Sequence, residues 1–96
     1  MRFEWSPEKN ATLREERGIS FETVVAHIEA GHLWKIEDHF NTARYPNQKI
    51  LYVVIDDYVY LVPTVEAGDV YFLKTIFPDR KATKRFHEES ESDASG

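Results

Sequence analysis

The sequence contains no cysteine. That absence excludes disulfide bonds, thiol nucleophiles and thiolate metal ligands. The chain also has no apolar run that approaches the length of a membrane span, and its first residues lack the apolar core of a signal peptide. No internal repeat is present. We therefore expect a protein that works in the reducing cytoplasm.

The composition that remains is that of one folded domain. The chain has 96 residues, is 42% hydrophobic, and carries two Trp, five Tyr and six Phe. A chain of this length forms a single domain with a modest core. We expect that domain to span residues 1–89. Residues 90–96 are acidic and serine-rich with no apolar anchor, so they are predicted to form a disordered tail.

Cap signals predict two helices near the N-terminus. Ser6 followed by Pro7 is typical of a helix start, and Gly18 of a left-handed helix end. Ser20 is predicted to cap a second helix that ends at Gly31. Apolar residues recur in this second helix at helical spacing, which indicates a buried face.

The remainder of the chain predicts strands and one final helix. Asp79 is a suitable N-cap for a helix over about Arg80–Glu88. Short turns between the strands predict an antiparallel arrangement. The fold class is therefore α+β, with two N-terminal helices, an antiparallel sheet of about four strands and a C-terminal helix. The predicted strands are Leu33–Asp38, Lys49–Ile55 as the central one, Tyr58–Glu66 and Asp69–Phe77.

Positive charge is concentrated in one segment, residues 74–87. It holds five basic residues and one acid, a net charge of +4 in a chain whose formal net charge is −5. Such an island indicates a phosphate-facing site or a docking face for an acidic partner. An ordinary solvated helix is the alternative. Within the island, Lys81, Lys84 and Arg85 are the candidates for phosphate contacts, and they are the candidate RNA-binding residues if the ligand is RNA.

Three blocks of sequence resemble one known family. Residues 3–10 read FEWSPEKN, residues 17–22 read RGISFE and residues 80–84 read RKATK. They resemble, in the same order, the blocks of the BrnT-type toxins of bacterial toxin–antitoxin pairs, a family similar in fold to RelE-like ribonucleases. The chain departs from the family pattern in its short Asp56-Asp57 turn and in having Lys49 and Lys74 where arginines are usual.

The resemblance implies a function. It implies the toxin component of a type II toxin–antitoxin system, a metal-independent endoribonuclease (an mRNA interferase) that a cognate antitoxin neutralises. The expected partners are that antitoxin and RNA, free or on the ribosome, and no cofactor is expected. The alternatives are a non-catalytic RNA-binding module and a protein-interaction module on the same scaffold. The net charge of −5 favours the protein-interaction module, because RNA-binding proteins are usually basic.

Ribonuclease chemistry without a metal selects the candidate catalytic residues. A ribose 2′-hydroxyl attacks the adjacent phosphate, cations stabilise the pentavalent intermediate, and acid–base groups move protons. Lys49, Lys74 and Arg80 are the candidates for phosphate charge, and we expect them to converge where the sheet meets the last helix. Tyr60 and His87 are the candidates for proton transfer or stacking, although packing and an exposed helix end explain them equally well.

Two further groups of residues attract attention. His39, Arg44 and Tyr45 lie in a predicted loop over residues 39–48, and loops on a rigid scaffold often carry function. His27 and His32 lie near the end of the second helix, five residues apart. That spacing is poor for two ligands on one helix face, so no metal site is expected.

Overall fold

The computed structural model describes the backbone of residues 1–95 and the side chains of residues 1–91. The chain is α+β, with three helices and one mixed sheet. No helix within the described residues is long and apolar enough to cross a membrane. In chain order the elements are β1 (Arg2–Trp5), α1 (Pro7–Arg17), α2 (Phe21–Glu29), β2 (Leu33–Asp38), β3 (Gln48–Ile55), β4 (Tyr58–Ala67), β5 (Val70–Leu73), β6 (Phe77–Pro78) and α3 (Arg80–Ser95).

The caps of α1 and α2 are those that the sequence predicts. The Ser6 hydroxyl accepts the Lys9 N–H, and Gly18 ends α1 with a φ of 66°. The Ser20 hydroxyl accepts the N–H of Thr23 at the start of α2. Both helices are therefore confirmed, because a side-chain oxygen satisfies N–H groups that the first turn of a helix leaves unpaired.

The sheet differs from the prediction in strand number and direction. Its order is β1-β5-β4-β3-β2, with β6 paired to β4, and β1 runs parallel to β5. The predicted strand Asp69–Phe77 is split in two, since Ile76 leaves the sheet and is fully buried in the core. The middle strand is β4 rather than β3. Pairing of β1 with β5 depends on the tertiary fold, so the local pattern of β1 could not predict it.

The longest hairpin joins β3 and β4. Asp56 and Asp57 form its turn with φ values of 52° and 65°, both in the left-handed region. Positive φ at both central residues is the property of a type I′ turn, whose twist matches that of the flanking strands. Ile55 therefore pairs with Tyr58, and this register extends down the whole hairpin.

One face of the sheet forms the core. Leu51 and Val53 of β3 are fully buried there against Phe21 and Val24 of α2. Trp5 stacks on Phe21 with ring centroids 5.7 Å apart. Helices α1 and α2 thus occupy this face, which we call the core face, and leave the opposite face for α3.

Helix α3 is fastened to the start of β4. The Asp79 carboxylate accepts the Ala82 N–H at 3.1 Å, as the predicted N-cap requires. The buried Thr83 hydroxyl accepts the Val59 N–H at 2.9 Å, so the helix supplies a partner to the sheet backbone.

The end of α3 differs from the prediction. It continues through Ser95, past the predicted end at Glu88, because no Gly or Pro interrupts residues 80–95. The predicted division into a domain over residues 1–89 and a disordered tail over residues 90–96 stays a prediction. Gly96 lies outside the described residues.

Candidate functional site

Part of the face opposite the core face is not covered by a helix. Side chains alternate along a strand, so Ile50 and Tyr52 point away from the core that Leu51 enters. Helix α3 covers the hairpin end of this face through Thr83 and through Phe86, which packs edge-on against Trp34. We call the uncovered remainder the open face. Its floor is half-buried and mostly apolar: Gln48, Ile50, Tyr52, Leu61, Pro63, Val65 and Phe72.

Strand register places two charged residues at opposite ends of one row across the open face. Glu37 is opposite Ile50, and Ile50 is opposite Pro63. The Lys74 N–H donates to the Pro63 carbonyl at 2.8 Å, which adds Lys74 to the row. Three strand spacings separate the two ends, or about 14 Å. The open face therefore has a carboxylate on one side and an ammonium group on the other.

Glu37 belongs to a polar cluster on β2 and β3. The Tyr52 hydroxyl donates a short hydrogen bond to one Glu37 oxygen, and the Lys35 ammonium lies 3.3 Å from the other. The same ammonium lies 4.5 Å from the centroid of the Trp34 ring and 4.8 Å from that of Tyr52. The Glu37 side chain nevertheless remains 44% exposed, so a ligand can reach it.

The contacts in this cluster shift the acid–base properties of its members. The Tyr52 hydrogen bond lowers the pKa of Glu37, and Lys35 and Arg85 act in the same direction. Burial, and then the hydrogen bond to Glu37, raises the pKa of Tyr52 to about 12. At neutral pH the cluster therefore contains a carboxylate beside a neutral tyrosine hydroxyl.

Helix α3 adds positive charge along the border of the open face. The Arg85 guanidinium helps to lower the pKa of Glu37 and opposes the rise in the pKa of Tyr52. Lys81 precedes Arg85 by one helical turn and therefore lies on the same side of α3. Both residues are exposed. Of the candidate RNA-binding residues, these two are the ones on the side of α3 next to the Glu37 cluster.

A cleft of about 290 Å³ occupies the other part of the open face. Lys49 and Lys74 both line it, together with His39, Gln48, Ile50, Pro63, Thr64 and Val65. The Lys49 side chain, however, leaves β3 on the core face and binds Asp38 at 2.5 Å, a bond that raises the pKa of Lys49. Of the two lysines, Lys74 is the one whose ammonium group is on the open face, near the Phe72 ring.

His39 completes the polar side of this cleft. The backbone N–H of His39 donates to the backbone carbonyl of Gln48 at 3.0 Å, which extends the β2–β3 pairing by one residue. Its Nδ1 accepts the N–H of Asn41, so in the neutral ring the proton is on Nε2. Because Lys35, Glu37 and His39 are two residues apart in turn, all three lie on the open-face side of β2.

Arg80 and His87 lie elsewhere. They line a second cleft, of about 420 Å³, with Tyr58, Thr83 and Lys84. His87 Nε2 is 3.0 Å from the Asp57 carbonyl oxygen in the hairpin turn. This end of α3 is fastened at Val59, four residues and about 13 Å along β4 from Pro63. Lys49, Lys74 and Arg80 therefore do not converge on one site as the sequence predicts.

Tyr60 is separated from both groups. It is opposite Val53 in the hairpin, so its side chain is on the core face. There it lines a third cleft, of about 470 Å³, with Arg17, Ile19, Phe77 and Pro78. The sheet itself stands between Tyr60 and the Glu37 cluster. Tyr60 and His87 thus have no shared site in which to exchange protons with one substrate.

Sequence reasoning missed Glu37, Lys35 and Tyr52. One signal was present, since Lys35, Glu37 and His39 alternate with Ile36 and Asp38 along a predicted strand. The sequence did not indicate a functional role for Tyr52, because this residue lies within an apolar run that is typical of a core strand. Only the β2–β3 pairing brings its hydroxyl to Glu37.

His27 and His32 are closer together than their spacing suggests. Gly31, with a φ of 92°, turns the chain at the end of α2, and the two Nδ1 atoms lie 2.9 Å apart. One ring can donate this hydrogen bond to the other. Within the described residues, no group of three or more His, Cys, Asp or Glu side chains is arranged to hold a metal ion.

Comparison with known proteins adds no relative. No protein-family model matches the chain, and no curated protein and no solved structure matches it. The likeness to BrnT-type toxins therefore rests on the three sequence blocks at residues 3–10, 17–22 and 80–84.

Proposed function

We propose that this protein is a BrnT-type toxin with a RelE-like fold, an endoribonuclease that cleaves RNA laid across the open face and that a cognate antitoxin neutralises. One observation carries the proposal. An accessible carboxylate, that of Glu37, lies on an open sheet face between cations of β2 and α3 on one side and Lys74 on the other. RNA cleavage by the 2′-hydroxyl needs a proton acceptor and stabilising positive charge together.

Glu37 is the proton acceptor in this mechanism. Its pKa is lowered, chiefly by the Tyr52 hydroxyl, so it is ionised at neutral pH. Tyr52 and Lys35 hold the two carboxylate oxygens in place, and each oxygen retains a further lone-pair site for a ribose 2′-hydroxyl. The neighbouring groups thereby orient the base before the substrate arrives.

His39 is the proton donor. It follows the end of β2 by one residue and lies on the same side of the sheet as Glu37, about 7 Å further along the chain. As a general acid His39 must be the imidazolium, in which both ring nitrogens carry protons. The Asn41 N–H therefore has to release Nδ1 before Nε2 protonates the departing 5′-oxygen. In the proposed complex, the acid and the base lie on either side of the bound phosphate. His39 thus takes the role for which the sequence suggested Tyr60 or His87.

Lys35, Arg85 and Lys74 supply the charge. The pentavalent intermediate carries more negative charge than the phosphodiester, and fixed cations stabilise that increase. The Lys35 ammonium lies 3.3 Å from Glu37, and Arg85 on α3 contributes to the lowered pKa of Glu37. Lys74 lies across the face, about 14 Å away, and meets a phosphate further along the RNA. These side chains neutralise phosphate charge directly, so the proposed reaction runs without a metal ion.

The test is cleavage of a labelled RNA by purified Glu37→Gln protein. Amide nitrogen and oxygen cannot take up the proton, so the rate should fall by about 10²- to 10⁴-fold. Glu16→Gln, an exposed position on α1, is the matched control and should cleave at the wild-type rate. Wild-type cleavage should also persist in EDTA.

The biological part of the proposal has its own test. Expression of the wild-type chain alone should arrest bacterial growth, and co-expression of the adjacent gene should relieve the arrest. Glu37→Gln should arrest nothing while it still binds the antitoxin. RNA binding without cleavage by the wild type would instead indicate the non-catalytic RNA-binding module. Absence of any RNA binding would leave the protein-interaction module.

A further inference from the structure

Residues 39–47 form a loop at the edge of the open face that presents aromatic rings to solvent. Phe40 is 95% exposed, the most exposed large apolar side chain among the described residues. Its ring stacks on His39 with centroids 4.4 Å apart and planes at 28°. His39 in turn contacts Tyr45, with centroids 4.6 Å apart. A large ring held this far into water contributes nothing to the core.

Hydrogen bonds hold the loop in this shape. The Asn41 side-chain oxygen accepts the backbone N–H of Arg44 at 3.2 Å, and the Asn41 backbone carbonyl accepts the backbone N–H of Tyr45 at 2.9 Å. The Asn41 N–H donates to His39. The rings are therefore positioned in advance, which reduces the entropy lost when a ligand binds.

The charge around the rings selects the kind of ligand. Residues 39–47 contain no acidic residue, although the whole chain has a net charge of −5. The Arg44 guanidinium lies 5.4 Å from the Tyr45 ring centroid. His39 also lines the cleft that contains Lys74. Flat rings next to cations fit a nucleotide, whose base stacks while its phosphate meets positive charge.

We propose that the His39–Phe40–Tyr45 loop is a stacking site for an unpaired nucleobase next to the phosphate held on the open face. The free side of the Phe40 ring takes the base, and Arg44 and Lys74 attract the flanking backbone. Only a single strand fits, because bases in a duplex have their faces covered by their neighbours. The inference deepens the proposed function, on which it rests for the class of ligand.

The experiment measures binding of a fluorescein-labelled 2′-O-methyl RNA octanucleotide by anisotropy. This probe lacks the attacking hydroxyl, so cleavage cannot disturb the measurement. Phe40→Ala should weaken binding by about 5- to 150-fold, the range found when one stacked base loses its aromatic partner. Phe40→Tyr keeps the ring and should bind as the wild type does. Circular dichroism should show all variants folded, since Phe40 is exposed.

Ile36→Ala is the matched control. It removes another exposed apolar side chain, 41% exposed, from the neighbouring strand but from its other face. Binding of the single strand should be unchanged in this variant. A duplex of the same sequence should bind weakly, and equally to wild type and Phe40→Ala.

Each other outcome overturns the inference. Phe40→Ala that binds the octanucleotide as the wild type does would show that Phe40 does not stack on a base. An equal loss in Ile36→Ala, or with the duplex, would show that stacking is not the cause. The proposed ribonuclease is judged separately, by cleavage of unmodified RNA. If binding depends on Phe40 but no RNA is cleaved, the stacking site stands and the proposed ribonuclease is wrong. If RNA is cleaved but binding does not depend on Phe40, the ribonuclease stands and the stacking site is wrong.

Discussion

The hydrogen bond between Tyr52 and Glu37 is the central contact of the candidate site. It holds the carboxylate in place and is the largest cause of the lowered pKa of Glu37. A hydrogen bond to the charged form of an acid favours that form. Burial is the largest cause of the raised pKa of Tyr52, and the same hydrogen bond is the second. Glu37 is therefore held as an anion beside the neutral hydroxyl of Tyr52.

Tyr52→Phe should therefore raise the pKa of Glu37. Without the hydroxyl, Lys35 and Arg85 still favour the carboxylate, so the pKa should rise only part of the way toward its ordinary value. Carbon-detected NMR titration of the Glu37 carboxyl measures this shift. The acid limb of the pH–rate profile for RNA cleavage should move to higher pH in parallel. An unchanged Glu37 pKa would show that the hydrogen bond is not made in solution.

At the scale of the element, α3 has two sides with different surroundings. Arg85 attracts the Glu37 cluster, whereas Lys84 lines the cleft with Arg80 and His87. Phe86 lies between these sides and packs on Trp34. The helix therefore divides the positive island of residues 74–87 between the open face and the hairpin turn.

Arg85→Ala and Lys84→Ala form a matched pair on this helix. Each removes one positive charge from an exposed position one residue apart. Loss of a cation beside the reacting phosphate costs about 10²- to 10³-fold in rate. Arg85→Ala should show that loss in single-turnover cleavage, whereas Lys84→Ala should only weaken binding. Equal losses would mean that net charge alone matters, and a greater loss in Lys84→Ala would move the site to the second cleft.

At the scale of the whole molecule, the proton on Tyr52 contributes to the free energy of unfolding. Its pKa is raised to about 12 in the folded chain from an ordinary value of 10.0. The folded state therefore binds this proton more tightly than the unfolded state, and the resulting stability is fully present below the unfolded pKa. That stability is lost as the pH rises through the folded pKa. On the acid side, Glu22 and Glu37 have lowered pKa values, so their contribution is lost as the pH falls.

Urea unfolding across this range measures the effect. The free energy of unfolding of the wild type should decrease as the pH is raised from about 9 to about 11.5, since deprotonation of Tyr52 then favours unfolding. Tyr52→Phe should lose less stability over the same range, because it has no hydroxyl to deprotonate at this position. Equal losses in the two proteins would show that Tyr52 is not linked to folding.

Short-range signals determined the helices and the hairpin turn by themselves. Ser6, Gly18, Ser20 and Asp79 act through bonds and dihedral angles within a few residues, so the sequence alone predicts the starts of all three helices and the end of α1. Composition and spacing likewise predict an α+β domain. The predicted end of α3 at Glu88 was wrong, because the acidic, serine-rich residues that follow contain no Gly or Pro to stop the helix before Ser95.

Tertiary structure alone decided the sheet order and the site. The parallel pairing of β1 with β5 joins segments far apart in the chain, and no local pattern encodes such a register. Lys49 and Lys74 reach one cleft, but a single step of strand alternation sends the Lys49 ammonium to the opposite face. The same alternation brings Lys35 and Glu37 to Tyr52 across two strands. Side chains one residue apart thus occupy different faces, and only the pairing of whole strands determines which residues meet.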